Sequence, residues 1–539
     1  MPTESRTEQL LNAYINGDDI SNFVPLSRNE QILKDMILGN EQTSSPQSRI
    51  ESLYKKLDEK IKKGSGDSTL DISTCLRKMF DESKTCQYLF YGRSVSSYPR
   101  SINYSYNNVS DEFLKIFFKD PNITINVLNM QNMFYALFNI TTIPKINTSK
   151  VTNMYGMFAR CIKLTSIPEM DTSNVTNMSY MFNNCYSLTT IPKLNTNKVT
   201  NMSYMFYMNN TDPYTDYDNM SYLLTIPEMD TSNVTDMRSM FEGCTNLTTI
   251  PKLNTNKVTN MYGMFNRCTR LTSIPEMDTS NVTNMDSIFG QCHKLVSIPE
   301  MDTSKVTSMR YMFDRCGSLT TIPNHKFNTS NVTNMYSMFV DCEKLTSIPE
   351  MDTSNVTDMG SMFARCRSLI SVPEMDTSNV TSMSNMFDCC SKLTTIPKLN
   401  TSKSTYMSSM FYSCNNLSTI PELDLNSAIN ISNAFMFCTK LSYLKLLNVK
   451  INLQIGSGTS WGHLIEKDCL IQIISELIDT GSSKTLTMGT ANKEKIADTY
   501  VKLLEDDGTG KHPFEVCTST DEGAMTIEAY CNSKNWTLA

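Results

Sequence analysis

Apolar residues return along most of the chain in one fixed order. In the clearest copy they are Val175, Met178, Met181, Phe182, Cys185, Leu188 and Ile191, with Asn, Thr and Ser between them. The Met-Phe step falls at 133/134, 157/158, 181/182, 205/206, 240/241, 264/265, 312/313, 338/339, 362/363, 386/387 and 410/411. Ile288-Phe289 and Ala434-Phe435 are degenerate copies, giving thirteen turns of about 24 residues. One step of 35 and one of 26 break the regularity. Such a period predicts a solenoid, in which each unit buries its apolar face only against its neighbours. Asn174–Met178 and Leu188–Ile191 have strand-like alternation and β-branching. Met178, Met181, Phe182 and Cys185 have the i, i+3, i+4, i+7 spacing of a helical turn. Pro192 ends the second strand, and Asp-Thr-Ser or Asn-Thr-Asn supplies the turn. The expected class is α/β: a solenoid of about 13 coils over 131–447.

The flanks differ. Residues 1–63 carry Ser-Arg-x-Glu three times, at Ser5, Arg6 and Glu8, at Ser27, Arg28 and Glu30, and at Ser48, Arg49 and Glu51. Each is a capping box before a short amphipathic helix, ended by Gly17, Gly39 or Gly64. The module is either a small cap on the solenoid or a docking module. Residues 64–130 read as a linker and an N-terminal cap, with Met79-Phe80 and Cys86–Leu89 as decayed repeat elements. Residues 448–539 predict a C-terminal α/β cap: helices over 468–479, 492–505 and 520–533, a strand at 485–489, and a closing Trp536–Ala539.

Composition narrows the chemistry. The formal charge is −7, which predicts no nucleic-acid partner, and no apolar run is long enough to insert into a membrane. No secretory leader is visible after Met1. Eleven of the 17 cysteines hold one repeat position, three residues after Phe, so a ladder of reduced, buried thiols is expected rather than a disulfide frame. The four histidines (His293, His325, His463, His512) are scattered, and no phosphate loop, metal set or catalytic constellation is present. The expectation is a non-enzyme without cofactor or metal.

Recognition is expected where the repeat varies. Tyr155, Tyr180, Tyr204, Tyr262, Tyr311 and Tyr336 sit two or three residues before the repeat Phe, where a ring offers a flat face to a sugar or a protein. Tyr214 and Tyr217 lie in the insertion of the 35-residue step. After each Pro, Glu-Met-Asp alternates with Lys-Leu-Asn, and stacked Lys relieves stacked Glu. Consecutive acidic coils at 276–302 and 350–376 have an incomplete ligand set for Ca²⁺.

The pattern Val-Thr-x-Met-x-x-Met-Phe-x-x-Cys-x-x-Leu-Thr-x-Ile-Pro resembles the BspA-like leucine-rich repeat family in its Met-Phe variant. That resemblance implies a leucine-rich-repeat solenoid engaged in adhesion or protein binding, with no catalytic residues. The Ser-Arg-x-Glu helices resemble the N-terminal segments of bacteriophage head-fibre and tail-fibre proteins. Together these resemblances imply a virion structural protein, assembled in the host cytoplasm. Residues 1–63 would bind other virion proteins, and the solenoid would meet a host-cell surface protein or glycan. A homo-oligomer is compatible with this reading. The alternative is a BspA-like bacterial or protist surface adhesin, located at the cell surface.

Overall fold

A computed structural model describes residues 85, 109–111, 114–115, 118–208, 221–323, 327–455, 465–479, 481–488, 490–504 and 514–539. The chain divides into two compact units, Met1–Lys257 and Val258–Ala539, and each is described by itself. The three Ser-Arg-x-Glu segments, Met79-Phe80, Cys86–Leu89, Tyr214, Tyr217, His325, His463 and His512 lie outside the described residues.

Both units are built from stacked coils, and the coil differs from its expected form. No α-helix forms over Met178–Cys185; the segment is a run of overlapping turns. Met181 N–H bonds back to Met178 O (3.2 Å), Asn183 to Tyr180 (3.1 Å) and Cys185 to Phe182 (3.2 Å). Tyr180 and Asn184 take φ of 59° and 55°, the left-handed third position of a type II turn. The intervening amides point out of the coil. Met178, Tyr180, Phe182 and Asn184 donate to the carbonyls of Asn201, Ser203, Met205 and Tyr207 in the next coil, at 3.1, 3.0, 2.8 and 2.7 Å. Alternate N–H groups therefore close turns, and the rest join coils. The expected first strand shrinks to one parallel bridge per coil, linking Asn153, Asn177, Asn201 and Asp236 in the first unit. In the second unit the bridges run through Asn260, Asn284, Ser308, Asn334, Asp358, Ser382, Tyr406 and Asn430.

Side chains complete the stacking. Asn177 Oδ1 accepts from Ser179 N–H (3.0 Å), which opens the corner. Thr172 Oγ1 is buried and donates to Asn195 O (2.8 Å), and Thr353 does the same to Asp376 O (2.8 Å). The repeat Phe rings stack nearly parallel: Phe158–Phe182 at 5.7 Å, and Phe313–Phe339 at 5.5 Å. The repeat cysteines are buried thiols that form no disulfide. Their Sγ–H groups point to the Phe carbonyl of the preceding coil, as in Cys185 to Phe158 O (3.1 Å) and Cys366 to Phe339 O (3.0 Å). Burial pushes the thiols of Cys161 and Cys438 up to about 12.

The irregular steps leave the corner intact. Across the 35-residue step Met202, Tyr204, Phe206 and Met208 still donate to Asp236, Arg238, Met240 and Glu242. Across the 26-residue step Met309, Tyr311, Phe313 and Arg315 still donate to Asn334, Tyr336, Met338 and Val340. The corner amides on both sides of each irregular step therefore keep their partners.

Regular strands appear from β1 (Thr419–Asp424), which pairs in parallel with β2 (Tyr443–Leu447). β3 (Leu453–Ile455) then pairs in parallel with β4 (Lys484–Met488), and β4 with β8 (Trp536–Leu538). Helix α1 (Lys467–Ser475) packs on β2, and its Leu470, Ile473 and Ile474 are buried. The helix expected over 492–505 stops early: α2 is Thr490–Ile496, and Tyr500–Leu503 is strand β5. The cause is tertiary, because β5 pairs antiparallel with β6 (Phe514–Cys517) and β7 (Met525–Thr526). The third helix, α3 (Ile527–Ser533), begins later than expected, capped by Thr526 Oγ1 accepting from Ala529 N–H (3.2 Å). Trp536 is buried, with its indole N–H on Ile478 O (3.1 Å).

This core gives two expected outcomes. Phe313→Ala removes a ring stacked on both sides and should cost about 3–5 kcal/mol in urea unfolding. The repeat thiols should resist a thiol reagent at pH 8 in the native protein and react once urea unfolds it.

Candidate functional site

The structure separates the six repeat tyrosines into groups. Tyr155, Tyr180 and Tyr204 come together in the first unit, with ring centroids 5.3 Å and 4.6 Å apart. The second pair is nearly parallel, at 13°, and Tyr207 closes the row edge-on to Tyr204 at 5.5 Å. Arg238 continues the patch, held by two hydrogen bonds from Nε and Nη2 to Asp236 Oδ2 (3.0 and 2.8 Å). Burial is the main cause raising the Tyr180 hydroxyl to about 12; neighbouring Tyr204 and Tyr155 add to it, and Arg238 opposes. In the second unit Tyr311 and Tyr336 make a separate edge-to-face pair at 5.4 Å, with Arg310 over the Tyr311 ring at 5.7 Å. Tyr336 lies against Gly360, where an added Cβ would come 3.0 Å from the ring. Tyr262, which falls between the two groups in sequence, is 41 % exposed.

These tyrosines occupy two registers with different backbone conformations. Tyr180, Tyr204 and Tyr311 take the left-handed position, at φ 59°, 57° and 55°. Other coils fill that position with Gly156, Gly263 or Asn385, which accept it more readily, or with the smaller Ser239 and Ser361. A bulky ring there is held at a steric penalty of roughly 1–2 kcal/mol. Tyr180 and Tyr204 cover each other's faces, while Tyr155 is tilted at 44° to Tyr180.

The rim after each Pro is satisfied locally. Asp171, Asp230, Asp352 and Asp376 each accept from a Ser N–H two residues on, at 2.9–3.0 Å. The hydroxyls of the same serines together with these amides hold all four carboxyls below the usual range, the hydroxyl leading at Asp171, Asp230 and Asp352 and the amide at Asp376. Among the described residues no three acidic, His or Cys side chains gather where a metal ion could sit. Glu422 lies between Lys398 (3.3 Å) and Lys445 (2.7 Å), as the Lys–Glu alternation implies. In the first unit Lys193, Glu228 and Lys252 line an open concavity of about 630 Å³ over Met170, Leu194 and Met229. Its alternating signs give it no single-sign field. The Asn-Val-Thr amides are engaged too: Asn174 Nδ2 donates to Ser149 O (2.8 Å) and Asn355 Nδ2 to Ser330 O (2.8 Å).

A cluster missed by sequence reading lies at the second left-handed position of the second unit, where Arg315, Asp341 and Arg365 adopt φ of 54°, 56° and 60°. Asp341 Oδ2 lies 3.8 Å from Arg315 and 3.5 Å from Arg365. Burial raises the neighbouring Asp314 carboxyl to about 6, with Asp341 adding and Arg315 opposing. The adjacent His293 is held below its ordinary value by burial and by Arg315. The signal was available as Arg at 267, 315 and 365, but it surfaces only when the left-handed register is known.

The family described as "Mycoplasma protein of unknown function, DUF285" matches residues 103–219, 214–297, 269–371 and 344–446. No curated protein matches the chain. Among solved structures, a leucine-rich repeat protein from Eubacterium ventriosum is 19 % identical, over 60 % of this chain and 84 % of its own, at a TM-score of 0.34. One from Bacteroides ovatus is 18 % identical over 66 % and 84 %, at 0.30. The T. pallidum leucine-rich repeat protein is 21 % identical over 31 % and 76 %, at 0.25.

Asp314 supplies a stability test. Its folded pKa of about 6 exceeds the ordinary 3.8, so its stabilising contribution is full below 3.8 and is lost as pH rises through 6. Asp314→Asn should therefore raise stability at pH 7 by about 1–2 kcal/mol after allowance for partial solvent screening. The gain should vanish near pH 4, read from urea midpoints at the two pH values.

Proposed function

The chain belongs to the DUF285 family, whose matches together span residues 103–446, and we propose that it is a non-enzymatic recognition protein of the surface-adhesion type. In this reading the leucine-rich-repeat coils are a scaffold, and the working surface is the Tyr155–Tyr180–Tyr204–Tyr207 row with Arg238. One observation carries it: two tyrosines held in the left-handed conformation, stacked 4.6 Å apart, where other coils place Gly, Ser or Asn. Tyr and Arg are the side chains that dominate protein–protein hot spots. The row borders the insertion in sequence, because Tyr207 opens the segment Tyr207–Tyr222. The partner in this reading is a protein on a cell surface.

This supports the cell-surface adhesin in preference to a virion fibre. Virion mounting draws only on the Ser-Arg-x-Glu recurrence within 1–63, which lies outside the described residues and before the family match. Among the described residues no helix is long and apolar enough to cross a membrane.

The test is binding of the labelled full chain to cultured epithelial cells, before and after protease stripping of surface proteins. Tyr180→Ser with Tyr204→Ser keeps residues that other coils tolerate at this position. It should weaken binding at least tenfold, corresponding to about 1.4 kcal/mol or more. Binding that survives both the substitutions and the stripping would sink this reading.

A further inference from the structure

We propose that the second unit carries a separate binding ridge for a linear acidic polysaccharide, one bearing sulfate or carboxylate groups. The ridge consists of the five-residue corner segments that surround the repeat Cys in six successive coils. Over 266–270, 290–294, 314–318, 340–344, 364–368 and 388–392 it holds eight Arg or Lys side chains against four acids, in a chain of net charge −7. The cations are Arg267, Arg270, Lys294, Arg315, Lys344, Arg365, Arg367 and Lys392; the acids are Asp314, Asp341, Glu343 and Asp388. A different corner of the same coils is acidic, with Glu and Asp at 276, 278, 300, 302, 350, 352, 374 and 376. The overall charge therefore conceals two segregated stripes.

The arginines are placed for an external anion. Arg315, Arg365 and Arg367 side chains are 52 %, 51 % and 58 % exposed. Asp341 stands between two of them at 3.8 and 3.5 Å, and Glu343 is 3.8 Å from Arg367. Exposed pairs at such distances neutralise little of the charge, and they align the guanidinium groups along the stack. A guanidinium presents paired donors that match sulfate or carboxylate oxygens. Arg267, Arg315 and Arg365 recur on alternate coils, each bridged to the next through Asn260, Asn284, Ser308, Asn334 and Asp358. At strand spacing that sets them roughly 10 Å apart, about one disaccharide.

The same geometry disfavours single-stranded nucleic acid, which binds by stacking bases on aromatic rings along a basic groove. None of the six segments contains Phe, Tyr or Trp. The ridge is independent of the tyrosine row, which belongs to the first unit.

The test uses the full chain with a heparin dodecasaccharide, and a twelve-residue oligothymidylate as comparator, by titration calorimetry at low salt. Arg267→Gln, Arg315→Gln, Arg365→Gln and Arg367→Gln are combined in one variant. Gln291 holds the left-handed corner position in this chain at φ 58°, so Gln fits at 267, 315 and 365. An unchanged urea midpoint reports that the fold survives, and the single Arg367→Gln variant gives a milder check. Wild type should bind heparin with steep salt dependence, and the combined variant at least tenfold more weakly with a shallower slope. Glu350→Gln with Glu374→Gln, and Tyr180→Ser with Tyr204→Ser, should leave heparin binding unchanged. Absence of heparin binding, equal affinity in the folded combined variant, or tighter binding of the oligothymidylate would each overturn the proposal. Loss of cell binding in the tyrosine variant, with heparin binding intact, separates this proposal from the function proposed above.

Discussion

Every coil depends on dividing its backbone amides between two duties. At Met178–Cys185 the N–H groups of Met181, Asn183 and Cys185 close turns within the coil, while those of Met178, Tyr180, Phe182 and Asn184 cross to the next. An α-helix would consume all of them internally and leave the stack to side-chain packing alone. A strand would send them all sideways and could not turn. The division requires two left-handed residues per coil, four positions apart, and the rest of the unit is arranged around that need. The Asn177 amide opens the corner, the Phe stack fills beneath it, and the Cys thiol donates to the Phe carbonyl that also accepts the turn-closing amide.

The period, the buried positions and the reduced cysteine ladder could all be read in the sequence, because a solenoid repeats its core residues at fixed intervals. The corner was misread for a physical reason. Met178, Met181, Phe182 and Cys185 fall on one side both in a helix and in a run of overlapping turns, so spacing alone does not separate the two. The signal that could have separated them is the residue at the left-handed position, where Gly156, Gly263, Asn385 and repeated Ser would be odd choices for helix interiors. Strand β5 was missed because Tyr500–Leu503 is set by its partners β6 and β7, which are distant in sequence.

The candidate surfaces were half visible. Variable tyrosines mark the exposed corner, yet two conformations underlie them, and the sequence treats both as one ladder. Only the structure groups Tyr155, Tyr180 and Tyr204 into one row, with the second pair stacked. The arginine ridge was hidden by net charge. A chain at −7 reads as unsuited to polyanions, while the folded coils sort cations and carboxylates onto different corners of the second unit. Charge balance is a property of the sum; recognition depends on how the fold distributes it.

The amides exported from the corner run from one coil to its successor, as in Met407, Ser409, Phe411 and Ser413 donating to Asn430, Ser432, Ala434 and Met436. At the Thr position they run the other way, as in Thr176 to Thr152 O, Thr200 to Thr176 O and Thr405 to Thr381 O. The last coil of such a stack therefore offers donors at the corner and carbonyls at the Thr position, and the first coil offers the reverse. The segment beyond the last coils answers with both kinds of group. Gln472 Oε1 takes the Leu446 N–H at 3.4 Å while its Nε2 donates to Leu446 O at 2.8 Å, and Glu476 Oε2 takes the Asn448 N–H at 3.1 Å. A segment that closes one end of the stack thus has its donors and acceptors in the wrong order for the other.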